Sequence, residues 1–586
     1  MNIINERVMQ LRQWMKDRNL SAYIIGSADP HASEYTPVHW ECRQWISGFR
    51  GSAGTAVITL EDAALWTDSR YFIAANEVLR DTPFRLMKER VEGTPSIAEW
   101  LIDKLTANRI VGIDGGVVGI NEAEELQDTL YKYGITVEAR YSAPDELWSD
   151  RPPLPDDPIK VQPIEWAGES ASSKINRLMD EVDRLGCSQM LVSQLDEIAW
   201  LLNLRGNDVH CNPVFVSYCM VSRETTTLFC DPSKITSEVA AYLNSCGIKT
   251  ENYNQVKDAI KHTEGKILLS PFTNLAVADA AVNRLIAVSP IAAMKARKNE
   301  AEIRGMRQAM LQDGVALVKW LHWLEQAEEV SELSIDAKLT ELRSQWPDFE
   351  GLSFDTIAAY REHGAIVHYE ATEESNVKLQ REGVLLVDTG AQYTCGTTDI
   401  TRTLLLGGNP TDEQKRVYSL VLKGHIALSR LKFPRNASGT QLDLAARYAM
   451  WQEGYNFGHG TGHGVGSHLC VHEGPHQIRM NYVSAPICEG MTVTDEPGIY
   501  LEGRFGVRIE NVLLCVPYKE TEFGSFVGFE PLTLCPIDTR LIDLTMMTPV
   551  EIEWLNNYHH MVAELLLPLL DNEGDRQWLQ NATKKL

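Results

Sequence analysis

The sequence lacks the features of a membrane protein or a nucleic-acid-binding protein. Its longest apolar runs, such as the one from Leu565 to Leu570, are far shorter than the roughly 20 residues that a helix needs to cross a bilayer. Lys and Arg number only 55 against 80 Asp and Glu, and the formal net charge of -25 repels phosphate backbones and anionic membrane surfaces. We therefore expect no nucleic acid and no membrane among its partners.

Paired cysteines and a secretory signal are also lacking. The 11 cysteines form an odd set with no CxxC pair, which favours buried thiols in a reducing compartment over a disulfide framework. The first twenty residues mix both charge signs at helical spacing, without the apolar stretch and small-residue cleavage site of a signal peptide. We expect a cytoplasmic protein.

The chain of 586 residues is 44% hydrophobic and 23% charged, which is typical of a globular protein with two to four domains. One pattern occurs twice: an apolar strand, a helical stretch and a pair of strands near the start return from Met190 onward. The two copies also share short motifs at matching places, Arg50-Gly51 with Asp68 and Arg205-Gly206 with Asp231. Two related α/β units of about 150 residues explain this repeat.

Two boundaries divide the chain into three predicted domains. The stretch DRPPLPDD at residues 150–157 disfavours both helix and central strand because of its prolines. A second boundary falls near Pro290 to Lys298, since a long helical pattern begins after the N-cap candidate Asn299. The predicted domains are residues 1–153, 154–297 and 298–586.

The third domain combines helical patterns with strands that neighbouring turns would join into hairpins. GVLLVDTGA and FGVRIENVLLCV read as strands, and helical patterns run from Gln414 to Arg430 and from Leu442 to Glu453. Hairpin connections predict an antiparallel sheet backed by helices. The fold class is therefore multidomain α/β, with an α+β third domain.

Two acids of this domain stand at places where a cation is plausible on electrostatic grounds. Asp388 ends the run GVLLVD, and Asp399 stands in TTDITRT eleven residues later. An odd separation is what partners that face each other across a hairpin require. A single acid after a strand is most often a turn former, but two facing acids repel each other unless a cation lies between them.

A glycine-rich segment, FGHGTGHGVG, carries His459 and His463. Its alternating glycines disfavour a helix and let the backbone approach a ligand closely. In an extended chain the two histidines lie roughly 13 Å apart, at about 3.3 Å per residue, so at most one of them binds a given ion. The alternative is that both are loop histidines with ordinary hydrogen bonds.

The segment HEGPH, from His472 to His476, matches the HExxH pattern of zinc proteases in its letters only. That pattern binds zinc from a helix, on which positions four apart share a face. Gly474 and Pro475 prevent such a helix. We reject a zinc-protease site here, while His472 stays a candidate for lining a site.

Two glutamates complete the set of candidate ligands. Glu496 precedes the turn signal Pro497-Gly498. Glu510 follows Arg508 by two residues in a strand pattern, so the side chains of Arg508 and Glu510 share a face. One exposed Glu in a strand is usually only solvated, but four acids beside glycines and turns are costly without counter-charge. Four carboxylates and one imidazole suit Mn(II), with Zn(II) or Co(II) as alternatives, and indicate two bridged ions that hold a hydroxide nucleophile.

These motifs resemble those of the pita-bread metallopeptidases, the group that contains methionine aminopeptidase, prolidase and aminopeptidase P. VHYEA around His368, GHGTGHGVG, HEGP and DEPGIY followed by RIEN resemble the Xaa-Pro aminopeptidase branch, although prolidases share much of this. Further motifs extend the resemblance to the long, three-domain cytosolic type along nearly the whole chain: ASEY, SGFRGSAGTA, LWTDSRYF, LDEIAWLLNLRG, NPVFVSY, FEPLTL and WLNNYH. The resemblance implies two creatinase-like α/β domains before a pita-bread catalytic domain with a C-terminal extension.

The resemblance also implies a role for each candidate residue. The implied metal ligands are Asp388 for one ion, His463 and Glu496 for the other, and Asp399 and Glu510 as bridges. Glu496 is the implied general acid/base, and His368 and His472 stabilise the oxyanion or hold the proline side. The other implied contacts are His459 beside the substrate, Tyr500 and Arg508 supporting the metal site, and Arg70 reaching the active site from a neighbouring subunit or domain.

The function implied by the resemblance is removal of the N-terminal residue from peptides with proline at position two. Prolidase activity on dipeptides and a non-catalytic binding protein on the same fold are the alternatives. A homodimer is a further expectation, from the resemblance and the aromatic cluster WLNNYHH of the tail. The sequence departs from the family after His368-Tyr369, where Glu-Ala-Thr-Glu-Glu replaces an expected proline-containing stretch.

Overall fold

A computed structural model describes residues 3–106 and 108–586. Met1 and Asn2, which open the predicted N-terminal helical pattern, lie outside these residues. The chain divides into two compact units, residues Met1–Pro163 with Glu169–Ala292, and residues Ile164–Gly168 with Ala293–Leu586. Among the described helices, none has both the length and the apolar character that a bilayer span requires.

The first part of unit 1 is a six-stranded sheet with helices around it. The strand order is β4-β3-β2-β1-β5-β6, in which β1, β2 and β3 are antiparallel neighbours and the outer pairings are parallel. The elements are α1 (Ile3–Asp17), β1 (Ala22–Ile25), α2 (Cys42–Ser47), β2 (Thr55–Thr59), β3 (Ala63–Thr67), α3 (Phe72–Val78), β4 (Arg85–Lys88), α4 (Ile97–Lys104), β5 (Arg109–Gly112), α5 (Ile120–Tyr131), β6 (Ile135–Glu138) and α6 (Ala143–Leu147).

The second part of unit 1 repeats this topology. Its sheet has the order β12-β11-β10-β8-β13-β14, with the same sequence of antiparallel and parallel pairings. The elements are β7 (Lys160–Val161), α7 (Ile164–Ala167, in unit 2), α8 (Ala171–Arg184), β8 (Gln189–Val192), α9 (Leu195–Leu202), β9 (Leu204–Arg205), β10 (Ser217–Ser222), β11 (Thr226–Cys230), α10 (Ser237–Ser245), β12 (Ile248–Asn252), α11 (Val256–Lys261), β13 (Ile267–Leu269), α12 (Leu275–Ala278), β14 (Arg284–Ile286) and α13 (Pro290–Ala296). The predicted repeat is confirmed: Asp68 and Asp231 each follow the third strand of their sheet.

Unit 2 begins its main part with the predicted long helix. Asn299 caps α14 by accepting from the backbone of Ala301 and Glu302, and the Glu302 side chain returns a bond to the Asn299 backbone. The elements are α14 (Glu300–Gln326), α15 (Glu332–Arg343), β15 (Phe349–Tyr360), β16 (Gly383–Tyr393), β17 (Gly396–Thr397), β18 (Ile400–Gly407), α16 (Asp412–Ser429), β19 (Lys432–Pro434), α17 (Gly439–Gln452), β20 (Gly462–Gly464), β21 (Glu473–Ile478), β22 (Thr492–Asp495), β23 (Gly498–Leu501), β24 (Phe505–Arg508), β25 (Asn511–Thr521), β26 (Gly524–Pro531), α18 (Pro549–Leu566) and α19 (Glu573–Ala582).

The strands of unit 2 form antiparallel sheets, as the hairpin patterns predict. One four-stranded sheet contains β15 to β18, another has the order β19-β26-β25-β22, and two further pairs join β20 with β21 and β23 with β24. Helices α16 and α18 pack with β23 and β24 in a large apolar core. One prediction is wrong: FGVRIENVLLCV is not a single strand, because the chain leaves β24 after Arg508 and enters β25 at Asn511.

The cysteines and the tail also bear on predictions from sequence. All 11 cysteines lie within the described ranges and are free, eight of them buried, as expected for thiols without a disulfide framework. The aromatic cluster of the tail lies mostly inside the protein: Trp554 stacks on Tyr558, and Tyr558 and His559 are buried in α18. This cluster therefore gives no support to a dimer interface.

His559 provides a pH-dependent contribution to the stability of unit 2. Its Nε2 accepts a hydrogen bond from the Ile537 backbone at 3.1 Å, and burial, followed by the charge of Arg402, lowers its pKa from 6.5 to about 4. The unfolded chain therefore binds more protons than the folded one between these values. Stability is full above pH 6.5 and falls as the pH drops towards 4.

We predict that His559→Gln, which keeps an acceptor but does not titrate, removes this dependence. Between pH 7.5 and pH 5 the unfolding free energy of the wild type should fall by about 2 kcal/mol relative to that of the variant. Urea unfolding of both proteins at each pH measures the difference. A difference that stays constant across this range would contradict the assignment.

Candidate metal centre

The hairpin of β16 and β18 carries two of the predicted ligands. Asp388 lies in β16, Asp399 immediately precedes β18, and both are buried. Their side chains share a face, as the odd separation predicts, but they are not direct partners. The register pairs Asp388 with Thr401, so the two acids are diagonal neighbours across the hairpin.

His463 lies in the short strand β20, between two glycines. Its Nδ1 donates to the Gly464 carbonyl at 2.8 Å, which leaves the Nε2 lone pair available as a ligand. That Nε2 lies 3.4 Å from Asp399 Oδ2 and 3.5 Å from Glu496 Oε1. A Cβ at Gly462 would lie 1.9 Å from the Thr494 carbonyl, so only glycine permits this close approach of β20 to β22.

The two glutamates lie at the ends of strands. Glu496 follows β22, and its backbone donates to the Thr461 carbonyl at 2.8 Å. Glu510 lies in the break between β24 and β25, where its backbone donates to the Thr401 carbonyl and its Oε2 accepts from the Thr401 hydroxyl at 2.8 Å. The side chain therefore points to the same site as Asp399, although the predicted strand is interrupted here.

The structure brings three of the predicted ligands into one group. Asp399, His463 and Glu510 each offer a ligand atom, and these atoms lie within 4.8 Å of one another. Glu496 adjoins the group through its contact with His463. Asp388 joins it from the other side, since the hydroxyl of Thr401 stands beside both Asp388 and Glu510.

The acids of this cluster disfavour one another's ionisation. Burial, followed by the charges of Asp399 and Glu496, raises the pKa of Glu510 well above its usual value. Burial also raises the pKa of Glu496 to about 7 and raises the pKa of Asp388, against the opposing effect of Arg508 on both. For His463, burial opposes the charged form, but Asp399 and Glu496 outweigh it and raise the pKa to about 9.

These residues fit a pair of divalent cations. The donor set is four carboxylates and one imidazole, of which Asp388, Asp399 and Glu510 are buried and His463 and Glu496 are half-buried. Asp388 Oδ1 is buried and has no hydrogen-bond partner among the described residues. Two divalent ions would neutralise the four acids, and oxygen-rich sites of this kind suit Mn(II), Zn(II) or Co(II).

Arg508 supports the ligand cluster through three hydrogen bonds of its guanidinium. Its Nη2 donates to Asp388 Oδ2 at 2.6 Å, its Nε donates to the Thr401 hydroxyl at 3.1 Å, and its Nη1 donates to the Tyr500 hydroxyl at 2.8 Å. The Tyr500 hydroxyl also lies 2.7 Å from Nε2 of His459. One chain of bonds thus links Asp388, Arg508, Tyr500 and His459.

Three predicted residues, His472, His368 and Arg70, are not members of the ligand cluster. The His472 ring stands edge-on to His463, with the centroids 4.3 Å apart. His368 is half-buried in the loop after β15. Arg70 lies in unit 1, where Asp68 holds its guanidinium through two bonds of 2.9 and 2.7 Å. The zinc-protease pattern is rejected as predicted, since residues 473–478 form the strand β21 and His476 donates to the Thr492 carbonyl.

Several supporting residues were not predicted from the sequence. Thr401 contacts Glu510 and Arg508, and its place two residues after Asp399 in a strand was a usable signal. Arg343 and Asp313 form a buried pair whose other bonds reach the hydroxyls of Thr389 and Thr398, each next to a predicted ligand. No local pattern indicates this pair, because its members lie 30 residues apart on two helices.

Glu473 explains the HEGP motif. Its carboxylate binds both Lys295, at 3.0 Å, and Lys298, and all three side chains are at most 3% exposed. The backbone of Glu473 pairs with Gly464, next to His463, and its chain neighbour is His472. The two lysines therefore anchor β21, which lies beside His463 and begins directly after His472.

Known protein families match most of the chain. The family described as metallopeptidase family M24 matches residues 304–517, and its C-terminal region matches residues 525–586. The creatinase/prolidase N-terminal domain matches twice, at residues 7–137 and 150–302. Xaa-Pro aminopeptidase 1 of Dictyostelium discoideum is 40% identical over 100% of this chain and 97% of its own length.

The chain belongs to metallopeptidase family M24. Among solved structures, X-prolyl aminopeptidase from Caenorhabditis elegans, described as a cytosolic enzyme with a di-nuclear active site, matches with a TM-score of 0.97 at 33% identity and covers 100% of both chains. Xaa-Pro dipeptidase from Bacillus anthracis shares the fold over 63% of this chain and 99% of its own, with a TM-score of 0.51 at 24% identity. This M24 chain thus has two creatinase-like domains and a pita-bread domain, as the resemblance implied.

We predict that the Glu473 triad of this M24 protein responds asymmetrically to substitution. Glu473→Gln leaves two buried ammonium groups without a carboxylate and should cost about 3 to 5 kcal/mol of unfolding free energy. Lys298→Met leaves a neutral Lys295–Glu473 pair and should cost about 1 to 2 kcal/mol, for the lost bonds to the Glu473 carboxylate and the Lys295 carbonyl. Urea unfolding measures both, and a larger loss in the lysine variant would show that the charge count does not control this site.

Proposed function

We propose that the chain is a metal-dependent aminopeptidase that hydrolyses the Xaa-Pro bond at the N-terminus of peptides and releases the first residue. The observation that carries this proposal is the buried cluster around Asp399, His463 and Glu510. It lies in a chain that relatives named Xaa-Pro aminopeptidase match over its full length. Prolidase and a non-catalytic binding protein are the alternatives.

The five clustered residues would hold two divalent ions, with Mn(II) as the proposed metal. Asp388 would bind one ion, His463 and Glu496 the other, and Asp399 and Glu510 would bridge them. When bound, the ions would polarise the scissile carbonyl and provide a nucleophile from water at neutral pH. Arg508 and Thr401 hold the Asp388 and Glu510 carboxylates in place through hydrogen bonds.

Glu496 is the proposed general acid/base. Its Oε1 faces His463 and the Thr494 hydroxyl, at 3.5 and 3.3 Å, and its Oε2 lies 3.9 Å from Nδ1 of His459. A proton held on Oε2 could pass to the proline nitrogen as the bond breaks, because an amine leaves the tetrahedral carbon only when its nitrogen gains a proton.

The histidines are proposed to orient the substrate. His472, beside His463, and His368 would stabilise the oxyanion or hold the proline side, and His459, fixed by Tyr500, would contact the peptide. Arg70 is proposed to reach an active site from a neighbouring subunit or domain. Its pairing with Asp68 fixes the direction of the guanidinium.

Three further properties are part of the proposal. The domains are residues 1–153, 154–297 and 298–586; the two repeated sheets and the separate matches to family domains support these limits. A cytoplasmic location is supported by the free cysteines and by the cytosolic relative. The partners are peptides with proline at position two.

The activity test uses the full chain with added Mn(II) and the peptide Arg-Pro-Pro, with products identified by mass spectrometry. We expect release of arginine by the wild type, loss of release on chelation, and loss in Asp399→Asn, since that change removes a bridging carboxylate. Asp412→Asn, at an exposed carboxylate on α16, is the matched control and should retain activity. Intact peptide with the wild type, or equal rates in Asp399→Asn, would contradict the proposal.

A length series separates the two enzyme alternatives. Peptides of two to ten residues, all with proline second, should be cleaved at the first bond by an aminopeptidase. Cleavage confined to the dipeptide would identify a prolidase. A protein that binds no Mn(II) in calorimetry and cleaves no member of the series would be a non-catalytic relative.

A homodimer is proposed on a different surface from the one that the sequence suggested. Leu444, Tyr448 and Trp451 are 50%, 59% and 40% exposed on one side of α17, at spacings of four and three residues. The loop after β21 adds the exposed Met480 and Tyr482, and it is tied to α17 by the bond from Thr440 to the Asn481 carbonyl. Exposed apolar side chains grouped in this way favour self-association.

We predict that Leu444→Asp with Tyr448→Asp yields monomers, because two charges would have to be buried in the interface. Light scattering at micromolar concentration should give twice the chain mass for the wild type and the single chain mass for the variant. Tyr131→Asp, at a 72% exposed tyrosine of unit 1, is the control and should stay dimeric. A monomeric wild type would refute the dimer.

A further inference from the structure

Glu332 is a buried carboxylate that none of the proposed roles uses. It is the first residue of α15, and its side chain is fully buried. Its Oε1 accepts from the Tyr360 backbone at 2.9 Å and from Nδ1 of His363 at 2.8 Å. Its Oε2 accepts from the Tyr369 hydroxyl at 2.9 Å and from the Val377 backbone at 3.3 Å. One carboxylate thus receives four hydrogen bonds.

These four donors span a single loop, residues 361–377, which we call the His368 loop. Tyr360 and His363 stand at its start, Tyr369 in its middle and Val377 at its end. The loop contains the stretch at which the sequence departs from its family, and there Thr372 and Ser375 form a turn through two reciprocal bonds of 2.9 and 3.2 Å. The Ser375 hydroxyl lies 3.0 Å from the Tyr369 hydroxyl. Glu332 therefore anchors the loop at the stretch where the family resemblance implies a proline.

The loop also contacts the residues that support the metal centre. Tyr369 belongs to a small apolar cluster with Ile357 and Leu386, against which Tyr500 packs. Tyr500 in turn binds His459 and Arg508. His363 stacks on Tyr369 with the ring centroids 4.4 Å apart. A displacement of Tyr369 would therefore move both the His368 loop and the packing behind Tyr500.

We propose that Glu332 is a positioning residue, which acts through Tyr369 to hold His368 in the orientation that the substrate requires. This inference rests on the proposed function, in which His368 meets the peptide. The neighbour of His368 along the chain is the tyrosine that Glu332 binds, so the histidine can turn little while that bond is intact. A buried carboxylate with four donors is also rigid, because the loss of any donor leaves part of a charge unsatisfied.

Tyr369→Phe tests this with little change in shape, since it removes one hydroxyl and keeps the ring in its apolar cluster and stacked on His363. The matched control is Tyr360→Phe, at the residue just before the same loop. It removes the hydroxyl bond to the Glu382 carbonyl but no bond to the side chain of Glu332. Both variants and the wild type are assayed with Mn(II) and Arg-Pro-Pro. Calorimetry measures Mn(II) affinity and stoichiometry, and hydrogen exchange follows residues 361–377.

We expect kcat/KM per metal-loaded molecule to fall about tenfold in Tyr369→Phe, the range found when a partner that orients a site residue is removed. Mn(II) affinity should match that of Tyr360→Phe, and hydrogen exchange should accelerate within the His368 loop. A merely structural role would reduce the fraction of metal-loaded protein but would leave kcat/KM per loaded molecule unchanged. Should Tyr369→Phe fail to fold, Ser375→Ala removes the neighbouring hydroxyl and should shift the same readouts in the same direction.

Three results would overturn the inference. A Tyr369→Phe protein with wild-type kcat/KM per loaded molecule would show that Glu332 does not position the loop for catalysis. A loss that follows weakened Mn(II) binding would show that the effect comes from the metal centre instead. A wild type that cleaves no Xaa-Pro peptide would overturn the proposed function and this inference together, whereas the first two results leave the proposed function standing.

Discussion

Repulsion among buried carboxylates is the constraint on which the centre of unit 2 depends. Four acids and a histidine converge from three hairpins and a strand end, and burial raises the pKa of several of them. Arg508 compensates one charge through its bond to Asp388. The remaining negative charge has to be met by cations or by protons, and these two occupants compete. Cation binding therefore also fixes which acids are ionised, so metal affinity, local stability and catalytic competence are expected to change together.

The protein holds this cluster with polar groups that are themselves buried. Thr401 receives a bond from Arg508 and donates one to Glu510, so a neutral hydroxyl transmits position between a cation and a candidate ligand. Behind the hairpin, the pair of Arg343 and Asp313 fixes the residues next to Asp388 and Asp399. Such groups contribute little net stability, because their desolvation offsets much of their attraction. Their contribution is geometric, since a ligand carboxylate that can rotate costs affinity for the ion.

The sequence predicts the parts of this site that depend on local pattern, and it fails where distant residues meet. The glycines around His463, the turn after Glu496 and the alternation in the β16–β18 hairpin are short-range features, so the acids and their shared face could be inferred. The diagonal offset of Asp388 and Asp399 depends on hairpin register, which the separation of two residues does not define. The break at Glu510 was missed because an apolar strand pattern continues through it. Partners such as Lys298 and Glu473, 175 residues apart, leave no local pattern at all.

The supporting residues of the site lie far apart along the chain and must meet before the site can form. Arg402 donates to the Glu510 carbonyl, to the Cys535 carbonyl and to the Tyr558 hydroxyl of α18, and so joins a strand of the metal centre to the C-terminal region. Glu332 joins the start of the same unit to the loop of His368. Contacts of this sequence separation close large loops and gain energy only after the intervening elements are packed. We therefore expect the centre to acquire its geometry late in the folding of unit 2. Removal of the C-terminal region would disturb the ligands themselves, since the guanidinium of Arg402 would lose its bonds to Cys535 and Tyr558 while it stays buried beside Glu510.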